Sequence, residues 1–372
     1  MIPNPVTFGK PNDDFLQNLA EVVYENPPPE GVDLPLATLS PKDKVWDNHR
    51  TQTHKVAHIY SNNPQFEQYA KRMGDCASLL LFGLENGLKL KSAPFCHVRN
   101  CPTCQWRKSL RWKARMYEVY EQIKPQYPTH RWLFLTLTVE NCYITDLRSV
   151  LKNMNNAWRK FVKRKEFASV DGWIRTTEVT RDKKNPNTHA HPHFHCILMV
   201  KPSYFGKSYV KQMDWVRVWG DCMGANYLPN VDIRTVKPKC GDDTALKSAI
   251  SETLKYAVKS ADMIGDGSQP AQDWFYHYTE QVHRMHFVAT GGALKNALKP
   301  DDKITDDEMI SPTGETTETT DKRRLAFVYY PTKSSYIYTP KLNDYADKRG
   351  SVCVVSERAT LPTRTHEHTS YG

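Results

Sequence analysis

Four histidines at alternate positions, residues 189, 191, 193 and 195, are the side chains in this sequence best suited to metal chemistry. Alternate residues of a β-strand share one face of a sheet, so His193 and His195 are expected to point to the same side. Glu178 lies on the preceding predicted strand, and antiparallel neighbours stand about 5 Å apart. Two imidazoles and one carboxylate, with coordination positions left open, form a catalytic site for a divalent cation such as Mg²⁺ or Mn²⁺. The alternative is a histidine-rich polar loop.

A second candidate group falls on a helix predicted over residues 246–261. Glu252 and Tyr256 are four residues apart and therefore share a helix face, with Lys259 a little further round. A free tyrosine has a pKa near 10, so it needs a base or a cation to act as a nucleophile near neutral pH. Glu252 is a candidate base, and Lys259 or the metal is a candidate cation. Spacing alone favours the alternative, an amphipathic structural tyrosine at the edge of the helix.

Nine cysteines in a chain without a secretory signal argue against a disulfide framework. Cys96, Cys101 and Cys104 form a C-x4-C-x2-C pattern, with Cys76 upstream. Four thiolates suit a closed tetrahedral structural zinc site, in which His97 is a possible substitute ligand. Buried free cysteines are the alternative. The other five cysteines show no metal spacing and are interpreted as structural: Cys142, Cys196, Cys222, Cys240 and Cys353.

A basic helix is predicted directly after the cysteines, over residues 106–113. The formal net charge of the chain is +10, which suits a polyanionic partner such as nucleic acid. The helix is therefore expected to approach DNA phosphates. Its candidate DNA-binding residues are Arg107, Lys108, Arg111 and Trp112.

The elements that must position these groups follow the order β-α-β-β-α-β, the ferredoxin-like arrangement of an antiparallel sheet with two helices on one face. The strands are predicted over 132–139, 172–180, 193–200 and 230–236, and the helices over 147–161 and 209–219. The further helix over 246–261 is expected to cover the other face. Pro192 is expected to start the third strand, which leaves His189 and His191 as loop or outer groups.

The predicted organisation places the chemistry in the middle of the chain. The predicted parts are an N-terminal arm without assigned function (1–70), a cysteine-rich zinc module with the basic helix (71–115), a catalytic domain (130–262), a C-terminal extension (263–299), an acidic disordered linker (300–322) and a C-terminal segment with one or two strands (323–372).

Three motifs in this order resemble the HUH endonuclease superfamily, and most closely the replication initiators of rolling-circle plasmids. They are FLTLTV (134–139), HPHFHCIL (191–198) and LKYAVK (254–259), and upstream similarity extends the resemblance to residues 71–259. The resemblance implies that His193 and His195 bind the metal and that Tyr256 is the nucleophile. It further implies that Glu252 activates water in the termination step, and, by a looser analogy, that Glu178 is the third ligand.

The implied activity is the nicking of one DNA strand by tyrosine transesterification, which leaves a 5′-phosphotyrosine and a 3′-OH primer. The implied partners are single-stranded or hairpin origin DNA, a host helicase and a host polymerase. Without an apolar span or a signal pattern, the chain is expected to be cytoplasmic. The alternatives are a conjugative relaxase or single-strand transposase of the same superfamily, and a non-catalytic zinc-containing DNA-binding repressor. No Walker-type phosphate loop appears, which argues against a fused helicase.

Overall fold

The computed structural model describes residues 13–84, 87–236, 244–255, 258–314 and 321–346. These residues form two antiparallel sheets surrounded by helices, so the α+β class expected from the sequence is confirmed. The helices are α1 (Asp13–Glu25), α2 (Leu36–Leu39), α3 (Val45–Ser61), α4 (Glu67–Asp75), α5 (Pro102–Ile123), α6 (Leu147–Phe161), α7 (Gln212–Met223), α8 (Thr244–Thr253), α9 (Ser260–Ile264), α10 (Gln269–Gln281) and α11 (Asp306–Ile310). The strands are β1 (Leu79–Gly83), β2 (Lys89–Ser92), β3 (Arg131–Thr138), β4 (Cys142–Tyr143), β5 (Val170–Arg181), β6 (His189–Val200), β7 (Val231–Val236), β8 (Val288–Gly292), β9 (Arg324–Tyr330) and β10 (Ser335–Tyr338).

The larger sheet has the order β7-β3-β6-β5-β8, with β4 paired to the start of β6. Its elements β3, α6, β5, β6, α7 and β7 follow one another along the chain in the predicted order. Each helix connects two strands that are separated by one antiparallel strand, so β6 lies between β3 and β5. Strand β8 extends the sheet beyond β5, so the sheet continues past residue 262, where the sequence placed the end of the catalytic domain.

One face of this sheet is covered by α6 and α7. Helix α6 repeats apolar residues at helical spacing, and it buries Leu151, Trp158 and Phe161. Helix α7 adds Trp215 and Trp219, which are fully buried. These rings pack on the residues of β6 that point to this side: Phe194, Cys196 and Leu198.

The opposite face carries the histidines, and α5 and α8 cover its other half. Ile197 and Met199, on the same side of β6 as His193 and His195, pack with Leu246 and Ile250 of α8. The expectation that a further helix covers the second face is therefore met, but the predicted extent is wrong. Helix α8 ends at Thr253, and α9 begins at Ser260.

Strand β6 begins earlier than predicted, because Pro192 lies inside it. The pairing of β3 with β6 stops at Thr138 opposite His193, and β4 takes over only at Ala190. Pro192 therefore lies beside the gap between two partner strands, where a missing backbone donor costs little. His189 and His191 are strand residues, and not loop residues as predicted.

The smaller sheet has the order β10-β9-β1-β2. The predicted C-terminal strands are present: β9 pairs with β1 from the cysteine-rich region, and β10 pairs with β9. The N-terminal region, which was expected to be an extended arm, is mostly helical from residue 13. Its helix α3 buries Trp46, Val56 and Tyr60.

The segment expected to be an acidic disordered linker differs from that prediction over residues 301–314. Helix α11 packs against α5 and buries Met309 completely. Thr305 and Glu308 form a capping box at its start. Residues 315–320 lie outside the described part of the chain.

A helix that spans a bilayer needs about 20 mostly apolar residues. Among the helices that the structure describes, none is long and apolar enough to do so.

Candidate metal centre and nucleophile site

Strands β5 and β6 bring Glu178, His193 and His195 together. In their antiparallel register Glu178 is opposite His193, and Thr176 is opposite His195. The Nε2 atoms of His193 and His195 lie 3.0 and 2.8 Å from Oε2 of Glu178. All three side chains are buried. The convergence predicted from alternate histidines and an adjacent carboxylate is therefore present in the structure.

The ring orientations are fixed by contacts on the far nitrogen of each imidazole. Nδ1 of His195 lies 3.2 Å from the hydroxyl of Thr136 on β3, and Nδ1 of His193 lies 3.3 Å from the backbone carbonyl of His191. Both Nε2 atoms are left to face the carboxylate. Metal-binding histidines usually have such a second contact, because it fixes the tautomer and the ring plane.

Two lysines add positive charge to the carboxylate. Lys255 Nζ lies 3.4 Å from Oε2 of Glu178, and Lys259 Nζ lies 3.7 Å from Oε1. Burial raises the pKa of Glu178, but hydrogen bonds from the two histidines and the charges of His193 and Lys255 hold it well below its usual range. Glu178 is therefore an anion, as a metal-binding carboxylate must be.

The donor set fits a divalent cation. One ligand atom from each of Glu178, His193 and His195 lies within 4.8 Å of the others. Oε1 of Glu178 is buried and has no hydrogen-bond donor among the described residues, which is unusual for a carboxylate oxygen. Two imidazole nitrogens and one carboxylate leave further coordination positions for substrate or water.

A third histidine lies nearby but is not part of this group. The ring of His191 is 5.3 Å from that of His193, centroid to centroid. Its Nδ1 lies 2.6 Å from the amide oxygen of Asn141. The described candidate ligand set therefore has two histidines.

Tyr256, the predicted nucleophile, lies outside the described residues. The described part of the predicted helix, α8, ends at Thr253. Glu252 is exposed in the last turn of α8 and forms an ion pair with Lys255. Lys255 thus bridges Glu252 and Glu178, and the predicted Lys259 also reaches the same carboxylate.

The four predicted cysteines form a second cluster. Cys76 follows α4, Cys96 lies in the loop before α5, and Cys101 and Cys104 lie at the start of α5. All four are buried, and their sulfur atoms lie within 4.8 Å of one another. The distances from Cys76 to Cys101 and to Cys104 are 3.5 and 3.6 Å, and that from Cys96 to Cys104 is 3.7 Å.

These distances fit four ligands of one zinc ion. A disulfide would require about 2.05 Å between sulfur atoms. A tetrahedron with Zn–S bonds of about 2.3 Å has edges of about 3.8 Å. Burial opposes ionisation of Cys101, but hydrogen bonds from the neighbouring thiols hold its pKa well below the usual value. His97, the possible substitute ligand, instead pairs with Asp306, with Nε2 2.5 Å from the carboxylate oxygen.

The basic helix differs from the prediction in what it exposes. Trp106 is buried, with its ring centroid 4.7 Å from that of Trp46. Arg107 is also buried, and it donates hydrogen bonds to the carbonyls of Met309 and Ile310. Arg111 contacts Glu118, Glu308 and the carbonyl of Pro312. Two of the four predicted DNA-binding side chains thus hold the acidic segment on α5.

Sequence reasoning missed two residues next to the metal group, Thr136 and Lys255. Thr136 lies inside the apolar strand β3, where only the register with β6 reveals that it faces His195. Lys255 had a readable signal, because it is directly adjacent to the proposed tyrosine.

Residues 87–337 match the family model Rep_1, described as "Replication protein". A "Protein rep" of Bacillus amyloliquefaciens is 33% identical over 70% of this chain and 83% of the relative. A "Protein rep" of Streptococcus pneumoniae (serotype 2, strain D39) is 29% identical over 81% of this chain and 93% of the relative. A "Replication protein" of Staphylococcus aureus is 35% identical over 49% of this chain and 78% of the relative. No solved structure matches the chain.

Proposed function

The chain belongs to the Rep_1 family of replication proteins, the initiators of plasmid replication, and on this premise we propose that it nicks one strand of its plasmid origin by tyrosine transesterification. The observation that carries the proposal is the buried group of Glu178, His193 and His195. The proposed catalytic domain is a ferredoxin-like HUH fold, which the strand order β7-β3-β6-β5 supports.

In the proposed reaction, Tyr256 gives up its phenol proton, and its oxygen forms a bond to the phosphorus of the scissile phosphate. The bond from phosphorus to the 3′ oxygen breaks, and that oxygen takes up a proton. The products are a 5′-phosphotyrosine and a free 3′-OH, which primes a host polymerase while a host helicase opens the duplex. A divalent cation, Mg²⁺ or Mn²⁺, polarises the phosphate when bound at Glu178, His193 and His195.

Side chains around the metal group fix the orientation of the imidazoles and supply positive charge. Thr136 and the carbonyl of His191 hold the two imidazoles in place. Lys255 and Lys259 supply positive charge beside Glu178, where the charge of a bound phosphate must be balanced. Glu252 has two possible roles. It activates water for termination, or it removes the proton from Tyr256.

The experiment that tests the proposal is a nicking assay on supercoiled plasmid that carries the origin. The full-length protein should convert it to open circles with Mg²⁺ or Mn²⁺, and not with EDTA. Denaturing gels should show protein joined to the 5′ end. Origin binding without nicking in any divalent metal would contradict the proposal and favour a zinc-containing repressor.

We also propose that Cys76, Cys96, Cys101 and Cys104 hold a structural zinc ion. Purified protein should contain about one zinc per chain. Cys101→Ser and Cys104→Ser should each lose it and unfold at a lower temperature, because the site joins α4 to the start of α5. Elemental analysis and thermal unfolding measure both effects.

Cys142→Ser is the matched control, since Cys142 lies outside the cluster. It should keep its zinc and its unfolding temperature. Wild-type protein prepared without chelator and free of zinc would contradict the assignment.

A further inference from the structure

A cleft connects the candidate metal site to the cysteine cluster. Its inner pocket is lined by Thr176, Thr177 and Lys255 on the sheet side and by Cys104 and Lys108 on the α5 side. Lys255 also contacts Glu178, so the inner pocket lies beside the metal group.

An outer pocket continues the cleft away from the metal group. Both pockets are lined by Arg99, Asn100, Lys108 and His286, so they adjoin along one wall. The two pockets form a single path from Lys255, which contacts Glu178, towards exposed Arg284. We call this path the basic cleft.

The charge of the basic cleft is strongly positive. Among its lining residues that the structure describes, the only carboxylate is Asp302 in the outer pocket. The cationic lining residues are Arg72, Arg99, Lys108, Lys255 and Arg284, and His97, His283 and His286 lie among them.

Lys108 is the most buried lysine among the lining residues of the cleft. The residue is only 8% exposed, and among the described residues none forms a hydrogen bond or ion pair with its ammonium group, which lines the cleft. A lysine held in a cleft by its buried stem, with its ammonium group unpaired, is available to an anion that enters the cleft. Its neighbours Arg107 and Arg111 on the same helix have such partners. The contrast indicates that Lys108 binds an anion that is not part of the protein.

The backbone of the outer pocket is held in an uncommon conformation. His97 and Arg284 have positive φ angles of 51° and 58°. Residues with a side chain rarely adopt this region, and such strain concentrates at ligand sites. Both side chains line the outer pocket.

Partly exposed aromatic rings accompany the cations. Trp112 lines the inner pocket, and Tyr69 lines the outer pocket. Alternation of cations with aromatic faces is typical of surfaces that bind single-stranded nucleic acid, since phosphates take the charges and bases stack on the rings.

We propose that the basic cleft binds the single-stranded origin DNA that flanks the scissile phosphate, with backbone phosphates on Lys108 and Arg284. The inference rests on the proposed function, because it takes the strand at Glu178 to be the nicked strand. The cleft thereby gives the cysteine cluster a second role, since Cys104 and Lys108 lie one turn apart on α5.

The test measures binding of a fluorescent single-stranded origin oligonucleotide by anisotropy over a series of salt concentrations. The full-length variants are Lys108→Gln, Arg284→Asn and the double variant. Asparagine is chosen because it tolerates a positive φ. The control is Lys152→Gln, on the exposed side of α6 and therefore on the other face of the sheet.

Each single variant should bind the oligonucleotide about fivefold to tenfold more weakly than wild type. The plot of log K against log salt should become less steep by about 0.7, the value for one phosphate of a single strand. In the double variant, the same plot should become less steep by about 1.4, the value for two phosphates. The control should match wild type, and all variants should keep their zinc.

If the double variant binds with the affinity and the salt dependence of wild type, the inference about the cleft is wrong. If the wild type then still nicks the origin, the proposed function stands. The inference would also be wrong if the variants lost affinity for duplex DNA but kept their affinity for the single strand, because the cleft would then bind a duplex. A wild type that neither binds nor nicks the origin would refute both proposals.

Discussion

His193→Ala and His195→Ala should each lower the single-turnover rate of origin nicking by about a thousandfold, which corresponds to about 4 kcal/mol of transition-state stabilisation. Each substitution removes one of two nitrogen ligands that converge on Glu178 Oε2, at 3.0 and 2.8 Å. The remaining histidine and the carboxylate would hold a cation only weakly. Isothermal calorimetry with Mn²⁺ should show the matching loss of metal affinity.

The control for this prediction is His277→Ala, on α10 outside the metal group. It should change neither the nicking rate nor the affinity for Mn²⁺. His191→Ala is informative in another way, since it removes a nearby ring that is held by Asn141. A small effect of that variant would support a two-histidine ligand set. Unchanged Mn²⁺ affinity in both His193→Ala and His195→Ala would place the metal elsewhere.

The metal group was predictable because its geometry is local to two strands. Alternate positions in β6 put His193 and His195 on one face, and a short polar turn makes β5 its antiparallel neighbour. Glu178 was then within reach by strand pairing alone. The contribution of Thr136 depends on a third strand, β3, whose register the sequence does not specify.

The length of α8 was not predictable, although its apolar spacing continues past its end. Leu246, Ile250 and Leu254 keep the helical period. The helix nevertheless ends at Thr253, whose carbonyl accepts a hydrogen bond of 2.7 Å from the Thr176 hydroxyl on β5. A contact with a distant strand thus ends a pattern that local propensity would extend.

In the acidic segment, the sequence predicted too little structure, because its composition is typical of a disordered linker although it contains a folded helix, α11. Its charges predict disorder, but Arg107 of α5 binds the carbonyls of Met309 and Ile310. One local signal was readable, because Thr305 and Glu308 have the spacing of a capping box. The same contact explains why the basic helix exposes less charge than its sequence indicates.

Tyr256→Phe should abolish nicking, with a rate at least about ten-thousandfold below that of wild type, because the substitution removes the attacking oxygen. DNA binding should stay within about twofold, since phenylalanine keeps the ring and the loss of one hydroxyl contact costs little. Nicking gels and detection of the covalent adduct under denaturing conditions measure the first effect, and anisotropy measures the second. Tyr209→Phe, at an exposed tyrosine, is the matched control and should nick normally. A covalent adduct formed by Tyr256→Phe would show that another residue attacks.

Glu252→Gln, measured beside Tyr256→Phe, assigns the carboxylate that pairs with Lys255. If Glu252 activates water in termination, the glutamine variant should form the adduct at close to the normal rate and then accumulate covalent or over-replicated products. If Glu252 removes the proton from Tyr256, the first nick should slow by about a hundredfold or more. The two outcomes separate because adduct formation needs the phenol oxygen but not a water molecule. Normal nicking together with normal termination would exclude both roles, and would leave Glu252 as a solvated partner of Lys255 at the end of α8.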